Sequence, residues 1–593
     1  MRSVVVVLLL SVWLYALPQT INEKIARSGI AQKDISIYIK EAGRGGKVVA
    51  SLNKDKMLTP ASVIKVLTTY AALLELGFDY RWPTKFYTTG VLRNGVLDGD
   101  LVIEGFGDPT LNDRDLAKIV STIRAAGIDH IKGDIVIDRS YFNVGNKDSS
   151  GFDENLYSAY NAMPDGMMFN ERISTVCITP NKNQVYKKNA DESYKVVNQL
   201  QRVNQPCTGR YSWPGVRIDK SGAVPTVLLR GQISNRCGQR NICQVITKPY
   251  KSFYYALKNR LQKEGAKVGG TLRLQRVPQN AVELFTYYSD PLEEIISQTA
   301  KKSNNLYARH LFLLLGAKIY GAPATLDKAR SAMDYILERK GVLKRGSILI
   351  DNGSGLSRTA KLSAKVLADV LDNAYDRYGN RWMQTLSIAG VDGTIKRRFG
   401  GTIVRKRAWM KTGTVKNVKN IGGYVKNIGG KFYTVVILVK GPKTRYLGAK
   451  LQDEIITWLV KGSVRPTSQS SAPHSSKKVY KKQAASKISS AKMKTTVPTQ
   501  TKSAKMKTTV PTQTKKVTKT YAPQKYYIQA GSFSRMPDKA YLVKIDRLGL
   551  RYSVRHSNNY KVFIGGYEDD RSAEAALKKV RAHINSGAFI VKL

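Results

Sequence analysis

The sequence predicts a multidomain chain of α/β and β class: a sheet packed between helices, interrupted by a strand-rich insertion, then a disordered linker and a small βαββαβ sandwich. Three observations predict it. Strand patterns recur at both ends of the large N-terminal part with helical patterns between them; a strand-rich stretch inside that part holds all four cysteines; and residues 461–525 contain no Asp or Glu.

At 593 residues the chain has room for about two to four folded units. Its 42% hydrophobic residues supply material for real cores, which excludes disorder throughout. Lys plus Arg number 97 against 44 Asp plus Glu, a formal charge of +53. Such a charge suits a polyanionic neighbour, whether nucleic acid, anionic lipid or cell-wall polymer, and equally a plain basic surface.

Met1-Arg2 is followed by an apolar run over 4–17 broken only by Ser11. Too short to span a bilayer comfortably, it predicts a signal peptide over 1–17, with an uncleaved anchor as the alternative. No later stretch has the apolar length of a transmembrane helix, so the mature protein is expected outside the cytoplasm without a membrane span. One α/β body is expected over 18–79 and 273–461. Its strands fall at 35–40, 47–53, 409–411, 422–425 and 432–440, its helices at 60–76, 292–318, 326–339 and 451–459, and its first and last strands come from distant sequence.

The insertion is expected over 80–272 with Cys177, Cys207, Cys237 and Cys243. Export favours disulfides over zinc, and Cys237 and Cys243 are close enough to close a small loop, but the spacing does not choose a pairing. The linker, 462–525, is cationic and rich in Ser, Thr, Lys, Gln and Pro, and its segment 490–502 recurs unchanged at 503–515. A unit so poor in large apolar groups cannot stack, so the repeat reads as length variation in a tether. The tail, 526–593, reads strand, helix, two strands joined at Asn558-Asn559, helix, strand: a ferredoxin-like sandwich. Tyr527 and Phe563 are expected on opposite sides of its sheet.

Three short motifs carry chemistry. In Thr59-Pro60-Ala61-Ser62-Val63-Ile64-Lys65, Thr59 is expected to cap a helix beginning at Pro60, with Lys65 on the same face as Ser62. A serine hydroxyl needs a base within reach, and a lysine can serve if burial or a neighbouring cation lowers its pKa. The bare pattern S-x-x-K also occurs at Ser475 and Ser489 in the linker, so the helical context distinguishes Ser62. Lys302-Ser303-Asn304-Asn305 opens a second helix; Ser303 could relay a proton and the Asn305 amide could hold a carbonyl, the plain alternative being a helix cap. Trp409-Met410-Lys411-Thr412-Gly413-Thr414 is a strand whose glycine admits a substrate backbone, with Lys411 and Thr412 suited to a carboxylate.

In the order S-x-x-K, S-x-N, K-T-G the chain resembles the serine penicillin-recognising enzymes. The long interval from Ser62 to Ser303 resembles the three-domain D-alanyl-D-alanine carboxypeptidase/endopeptidase family, as do the segments 107–111 (GDPTL), 351–358 (DNGSGLSR) and 389–394 (AGVDGT). That resemblance implies a penicillin-binding-protein/β-lactamase-like fold, with Ser62 as acylated nucleophile, Lys65 as base and Ser303 and Asn305 lining the cleft. It implies Lys411 and Thr412 on the terminal carboxylate, the N–H groups of Ser62 and Thr414 as oxyanion hole, β-lactams as covalent inhibitors, and neither cofactor nor metal. The family's insertion carries an acidic residue for the amino end of the stem-peptide side chain. Asp165, in Tyr160-Asn161-Ala162-Met163-Pro164-Asp165-Gly166, is the candidate, a solvated turn aspartate the alternative.

The tail resembles a SPOR domain through Tyr526-Tyr527-Ile528-Gln529-Ala530-Gly531-Ser532-Phe533 and Tyr560-Lys561-Val562-Phe563-Ile564-Gly565. This implies binding to peptidoglycan glycan strands stripped of stem peptides. The expectation is therefore a periplasmic serine DD-peptidase acting on stem peptides and tethered to denuded glycan, with enrichment at the septum as a further option. A β-lactamase of the same superfamily and a non-catalytic wall-binding scaffold are the rivals, and a nucleic-acid role is disfavoured.

Overall fold

The computed structural model describes residues 17–462, 526–533, 537–550, 552–556, 560–585 and 588–592. The expected signal peptide up to residue 16 and the expected linker from 463 to 525 lie outside them. The chain divides into two compact units, Met1–Ala472 and Pro473–Leu593. Among the described residues no helix is long and apolar enough to cross a membrane.

In the first unit, a six-stranded sheet is ordered β3-β4-β5-β6-β1-β2, where β1 is Ile35–Glu41, β2 Val48–Leu52, β3 Ser387–Ile388, β4 Ala408–Val415, β5 Val418–Lys426 and β6 Phe432–Lys440. β1 and β6 pair antiparallel from Ile35 opposite Val439 to Glu41 opposite Tyr433, joining distant sequence as expected. Strands β1 and β6 are nearly continuous apolar runs because both faces of the sheet are covered. Tyr424, Val436 and Leu438 enter the core on one face, and Ile421, Val435, Ile437 and Val439 that on the other.

The second face is covered by α1 (Gln19–Ser28) and α7 (Thr444–Val460); the first carries α2 (Lys65–Leu76), α3 (Leu292–Lys301), α4 (Asn305–Tyr320), α5 (Leu326–Arg339) and α6 (Ala364–Met383). Neither α1 nor α6 figures among the sequence expectations. Every residue of α4 from Asn305 to Ala317 is buried, the mark of a helix packed on all sides.

The helix expected from Pro60 starts later. Residues Ala61–Ile64 form a 3₁₀ turn, Ala61 has φ 47°, and Thr59 makes no capping bond. Packing imposes this geometry: a Cβ on Gly355 would lie 2.0 Å from the Ala61 oxygen, and one on Gly413 2.8 Å from the Pro60 oxygen. The turn is thus pressed between a loop and β4, and only glycines allow so close an approach.

The insertion sheet runs past the expected boundary at 272. Leu272–Leu274 pairs with Ile135–Asp138, and Val282–Tyr288 with Pro83–Thr88, so the returning chain completes a five-stranded sheet before entering α3. Two three-stranded sheets follow from Ser174–Thr179 and Thr226–Ser234 with their neighbours. Cys207 and Cys237 form a disulfide. They follow the parallel strands Lys195–Val203 and Thr226–Ser234, which end side by side. The short loop between Cys237 and Cys243 is therefore not closed, and Cys177 and Cys243 are free thiols, the first buried and the second exposed.

The second unit has the expected order βαββαβ, with sheet order Tyr552–His556, Tyr560–Tyr567, Tyr526–Phe533, Phe589–Lys592. Ile528, Ile545, Val562, Ile564 and Val580 form its core. Tyr527 and Phe563 do not point opposite ways. Phe563 pairs with Gln529, two residues from Tyr527, and the Arg555 guanidinium lies 5.3 Å from both rings. Both aromatics therefore share the face away from Ile528 and Ile564.

Candidate active site

Lys65 is the first residue of α2 and is completely buried. Its Nζ lies 2.9 Å from Ser62 Oγ and 2.7 Å from Asn305 Oδ1, and it also bonds the Ser354 carbonyl. The 3₁₀ turn explains the first contact, because residues i and i+3 eclipse in that geometry. Among the described residues no carboxylate pairs with the amine. Burial, then the charges of Lys411 and Arg309, hold the Lys65 pKa well below that of an ordinary lysine. An uncharged amine here has a lone pair within reach of the Ser62 hydroxyl proton.

Lys411, in the middle of β4, is also fully buried, and burial lowers its pKa to about 7. Its Nζ donates to Ser303 Oγ at 2.9 Å and to the Thr412 carbonyl at 2.7 Å. Thr412 Oγ1 donates to Thr394 Oγ1 at 2.8 Å. Ser303 adopts φ 55° between α3 and α4, and Asn304, not Ser303, caps α4 by accepting from the Leu306 and Tyr307 N–H groups. The Asn305 amide is shared: Oδ1 faces Lys65, while Nδ2 donates to the Tyr160 carbonyl at 3.0 Å.

Gly413 lets β4 lie against the serine turn, since a Cβ there would be 3.0 Å from the backbone nitrogens of Ser62 and Val63. Thr414, exposed, is the next residue; its Oγ1 accepts from Lys419 Nζ at 3.2 Å. The S-x-x-K, S-x-N and K-T-G residues thus form one connected cluster.

Asp165 does not join it. Its carboxylate is 1% exposed and takes both Nε (2.8 Å) and Nη2 (2.6 Å) of Arg139, plus the Met167 N–H. A buried carboxylate held by a guanidinium is not the solvated turn aspartate of the alternative reading, and the Arg139 pairing competes with the contact to a stem-peptide amino group expected of Asp165. Asp153, in the same region, is half-buried rather than buried and accepts from Tyr160 Oη at 3.0 Å and Asn161 Nδ2 at 2.8 Å.

Two further residues escape the motif reading. Asn420 Nδ2 donates to the carbonyls of Thr59 and Pro60, both at 2.9 Å, clamping the serine turn to β5; an asparagine inside an apolar strand is the signal that could have found it. Arg309 is 3% exposed, donates to the Ala162 carbonyl at 2.6 Å, and has no ion-pair partner among the described residues. Nothing local to its sequence announces that burial.

Residues 17–462 match the D-Ala-D-Ala carboxypeptidase 3 (S13) family, and residues 522–592 match the SPOR domain. The chain belongs to the S13 D-Ala-D-Ala carboxypeptidase family. This S13 chain is 28% identical over 422 residues to D-alanyl-D-alanine carboxypeptidase DacB of Haemophilus influenzae, covering 68% of its own length and 85% of that protein. It is likewise 28% identical over 406 residues to a D-alanyl-D-alanine carboxypeptidase of Actinomadura sp., covering 65% and 74%. The crystal structure of penicillin binding protein 4 (dacB) from Haemophilus influenzae shares its fold, with TM-score 0.64 at 24% identity over 74% of this chain and 99% of that one. Membership of the S13 family makes the protein a serine-type D-Ala-D-Ala carboxypeptidase, followed by a SPOR domain.

Proposed function

We propose that the protein trims D-alanine from peptidoglycan stem peptides, and cleaves the D-alanyl cross-links between them, by an acyl-enzyme route. Ser62 Oγ attacks the carbonyl carbon on the N-terminal side of the scissile bond while its proton passes to Lys65. The tetrahedral oxyanion is held by the N–H groups of Ser62 and Thr414. As the C–N bond breaks, the proton held by Lys65 reaches the leaving amine through Ser303; water then attacks the ester carbonyl with Lys65 taking its proton, and the bond to Ser62 Oγ breaks as Lys65 returns that proton to the serine. Lys411 and Thr412 hold the carboxylate of the departing residue, and Asn305 orients both Lys65 and the substrate amide. Asp153, in place of Asp165, meets an amino group on the stem-peptide side chain.

One observation carries this reading: a fully buried Lys65 amine, with no carboxylate partner among the described residues, within hydrogen-bond distance of both Ser62 Oγ and Asn305 Oδ1. The tail supports a place at the wall outside the cytoplasm, in the periplasm and at septa. The sheet face away from Ile528 carries Tyr527 and Arg555, groups suited to sugar stacking and hydrogen bonding, with Phe563 buried under the guanidinium, and denuded glycan is the proposed ligand. The test is to incubate wild type and Ser62→Ala with muropeptides and identify products by mass, with penicillin labelling in parallel. Loss of one alanine and separation of cross-linked dimers by wild type alone are expected. Turnover or labelling that survives in Ser62→Ala would overturn the assignment.

A further inference from the structure

A cavity of about 700 Å³ lies between the insertion and the start of α4, lined in part by the segment 107–111 that the peptidase chemistry leaves unused. Its charged groups are arranged unusually. The carboxylates of Asp108, Asp113, Asp115 and Glu171 are buried or half-buried, while Asp290 and the cations Arg81, Arg114, Lys118, Lys188 and Lys302 are exposed at the rim. None of these ten residues belongs to any of the ion pairs formed among the described residues, although basic residues outnumber acidic ones more than twofold in the chain. The carboxylates are instead oriented by neutral donors. Tyr287 Oη bonds Asp115 at 2.7 Å, Asn170 and Asn189 bond Asp113 at 2.9 and 2.6 Å, and Tyr307 Oη and Asn304 Nδ2 bond Glu171 at 3.1 and 2.8 Å.

Asp108 is the deepest, 3% exposed. Its Oδ1 takes both the Thr110 N–H (2.8 Å) and the Thr110 hydroxyl (2.6 Å), whereas its Oδ2 has no hydrogen bond from the described residues. Burial, with Asp115 and Asp290 adding to it, raises its pKa to about 7 despite the Thr110 bonds. Asp113 and Asp115 lie in the first turn of the helix Asp113–Ala125, where Asp115 Oδ2 also accepts the Asn112 N–H at 2.9 Å. Asp108 and Glu171 are held in place with no cation on them among the described residues, and carboxylates so placed form a site for a bound ammonium group. The exposed ring of lysine and arginine fits the opposite end of such a ligand.

We propose that this cavity is a second ligand site, separate from Ser62, for a zwitterionic amino acid or short peptide, its ammonium group inward on Asp108, Asp115 and Glu171 and its carboxylate outward on the basic rim. Occupation reaches the peptidase machinery through one bond. Glu171 holds Asn304, and Asn304 is both the cap of α4 and the residue between Ser303 and Asn305. A ligand that draws Glu171 into the cavity therefore acts on the turn that carries both residues.

The site rests on its own geometry, and its test separates it from the Ser62 chemistry. Full-length protein acylated with penicillin, its adduct checked by intact mass, is titrated calorimetrically with tri-alanine, N-acetyl-tri-alanine, tri-alanine amide and free D-alanine. If no adduct forms, the reading of Ser62 fails, and the same titrations on the unmodified protein still test the cavity through its variants. One tri-alanine is expected to bind, with affinity falling about tenfold or more on N-acetylation or in Asp108→Asn, and severalfold on C-amidation or in Lys118→Gln/Lys188→Gln. Should Asp108→Asn fail to fold, Glu171→Gln and the exposed lysine pair carry the same comparison. Free D-alanine binding as tightly as the tripeptide makes the reaction product the ligand; weaker binding makes it a peptide. Absence of binding, or binding indifferent to N-acetylation and to these variants, overturns the proposal.

Discussion

Lys65 Nζ and Asn305 Oδ1 lie 2.7 Å apart although 240 residues separate them in sequence. That bond fixes the amine beside Ser62, and it forms between the first turns of α2 and α4, which pack side by side in the larger core. It occupies the oxygen of the Asn305 amide, leaving Nδ2, now on the Tyr160 carbonyl, as the donor available to a substrate.

The pH profile of penicillin acylation should be bell-shaped. Lys65 must be uncharged to take the serine proton, so the rate rises with pH through its lowered pKa; Lys411 must be charged to hold a carboxylate, so the second-order rate constant falls above about pH 7. Lys411→Ala should lower the rate, abolish the alkaline fall and move the acidic limb upward, because it removes one positive neighbour of Lys65 and admits water. Arg309→Met should move the acidic limb upward, and Arg309→Lys less so. Stopped-flow acylation across pH measures this, and an acidic limb unmoved in both Lys411→Ala and Arg309→Met would refute the coupling.

Gly413→Ala should impair the oxyanion hole while leaving the nucleophile intact. The new methyl would lie 2.8 Å from the Pro60 oxygen and 3.0 Å from the Ser62 nitrogen, forcing β4 away from the serine turn. A fall in acylation rate of about 10²–10³ is expected, the magnitude typical of losing one oxyanion donor. A rate near wild type would show that the Thr414 N–H is not used.

Acid should loosen the segment beside the cleft before the main core. Although burial pushes Asp148 upward, hydrogen bonds from Lys220 and Lys248 and the charge of Arg172 bring its pKa down to about 2 from an ordinary 3.8. A pKa depressed in the folded state stabilises above the unfolded value, and that contribution is lost as pH falls from about 4 towards 2. It amounts to roughly 2 kcal/mol. Asp148→Asn should therefore reduce stability at pH 7 and flatten its dependence between pH 4 and 2, as read by denaturant unfolding. Unchanged curves would mean that the three cations are satisfied elsewhere.

The cysteines should separate by chemistry. In the native protein Cys243 alkylates, Cys177 alkylates only on unfolding, and Cys207 and Cys237 only after reduction. Cys207→Ser should cost about 2–4 kcal/mol in the insertion, yet leave penicillin labelling of the folded protein unaltered. Mass mapping of alkylated peptides would expose a different pairing.

For the tail, an isolated 526–593 fragment should bind amidase-treated peptidoglycan better than untreated wall and retain that binding at high salt, since hydrogen bonds and stacking are less screened than exposed charge. Tyr527→Ala and Arg555→Ala should each weaken it, because the ring and the guanidinium share one face, over the buried Phe563. Equal binding before and after amidase treatment would remove denuded glycan as the ligand.

By itself the sequence determined the three motifs, most of the strands and helices of the large unit though not α1 or α6, the tail topology and the cysteine-bearing insertion, because these depend on residue type and local spacing. Apolar periodicity and the acid-free run at 461–525 are properties of neighbouring residues, legible without coordinates. The tertiary structure decided whatever depends on what lies opposite. The Ser62 turn is 3₁₀ because Gly355 and Gly413 press on it; Asp165 is spent because Arg139 happens to face it; Cys207 meets Cys237 because two parallel strands end together. Arg309 became part of the site for the same reason, since its burial is set by the whole fold and leaves no mark on its immediate neighbours; Asn420 stands out in its apolar strand, but that it clamps the Thr59 and Pro60 carbonyls is decided by what faces it. Lys65 illustrates the division best: its spacing from Ser62 is written in the chain, but the low pKa that makes it a base arises only when α2, α4 and β4 close around it and exclude water.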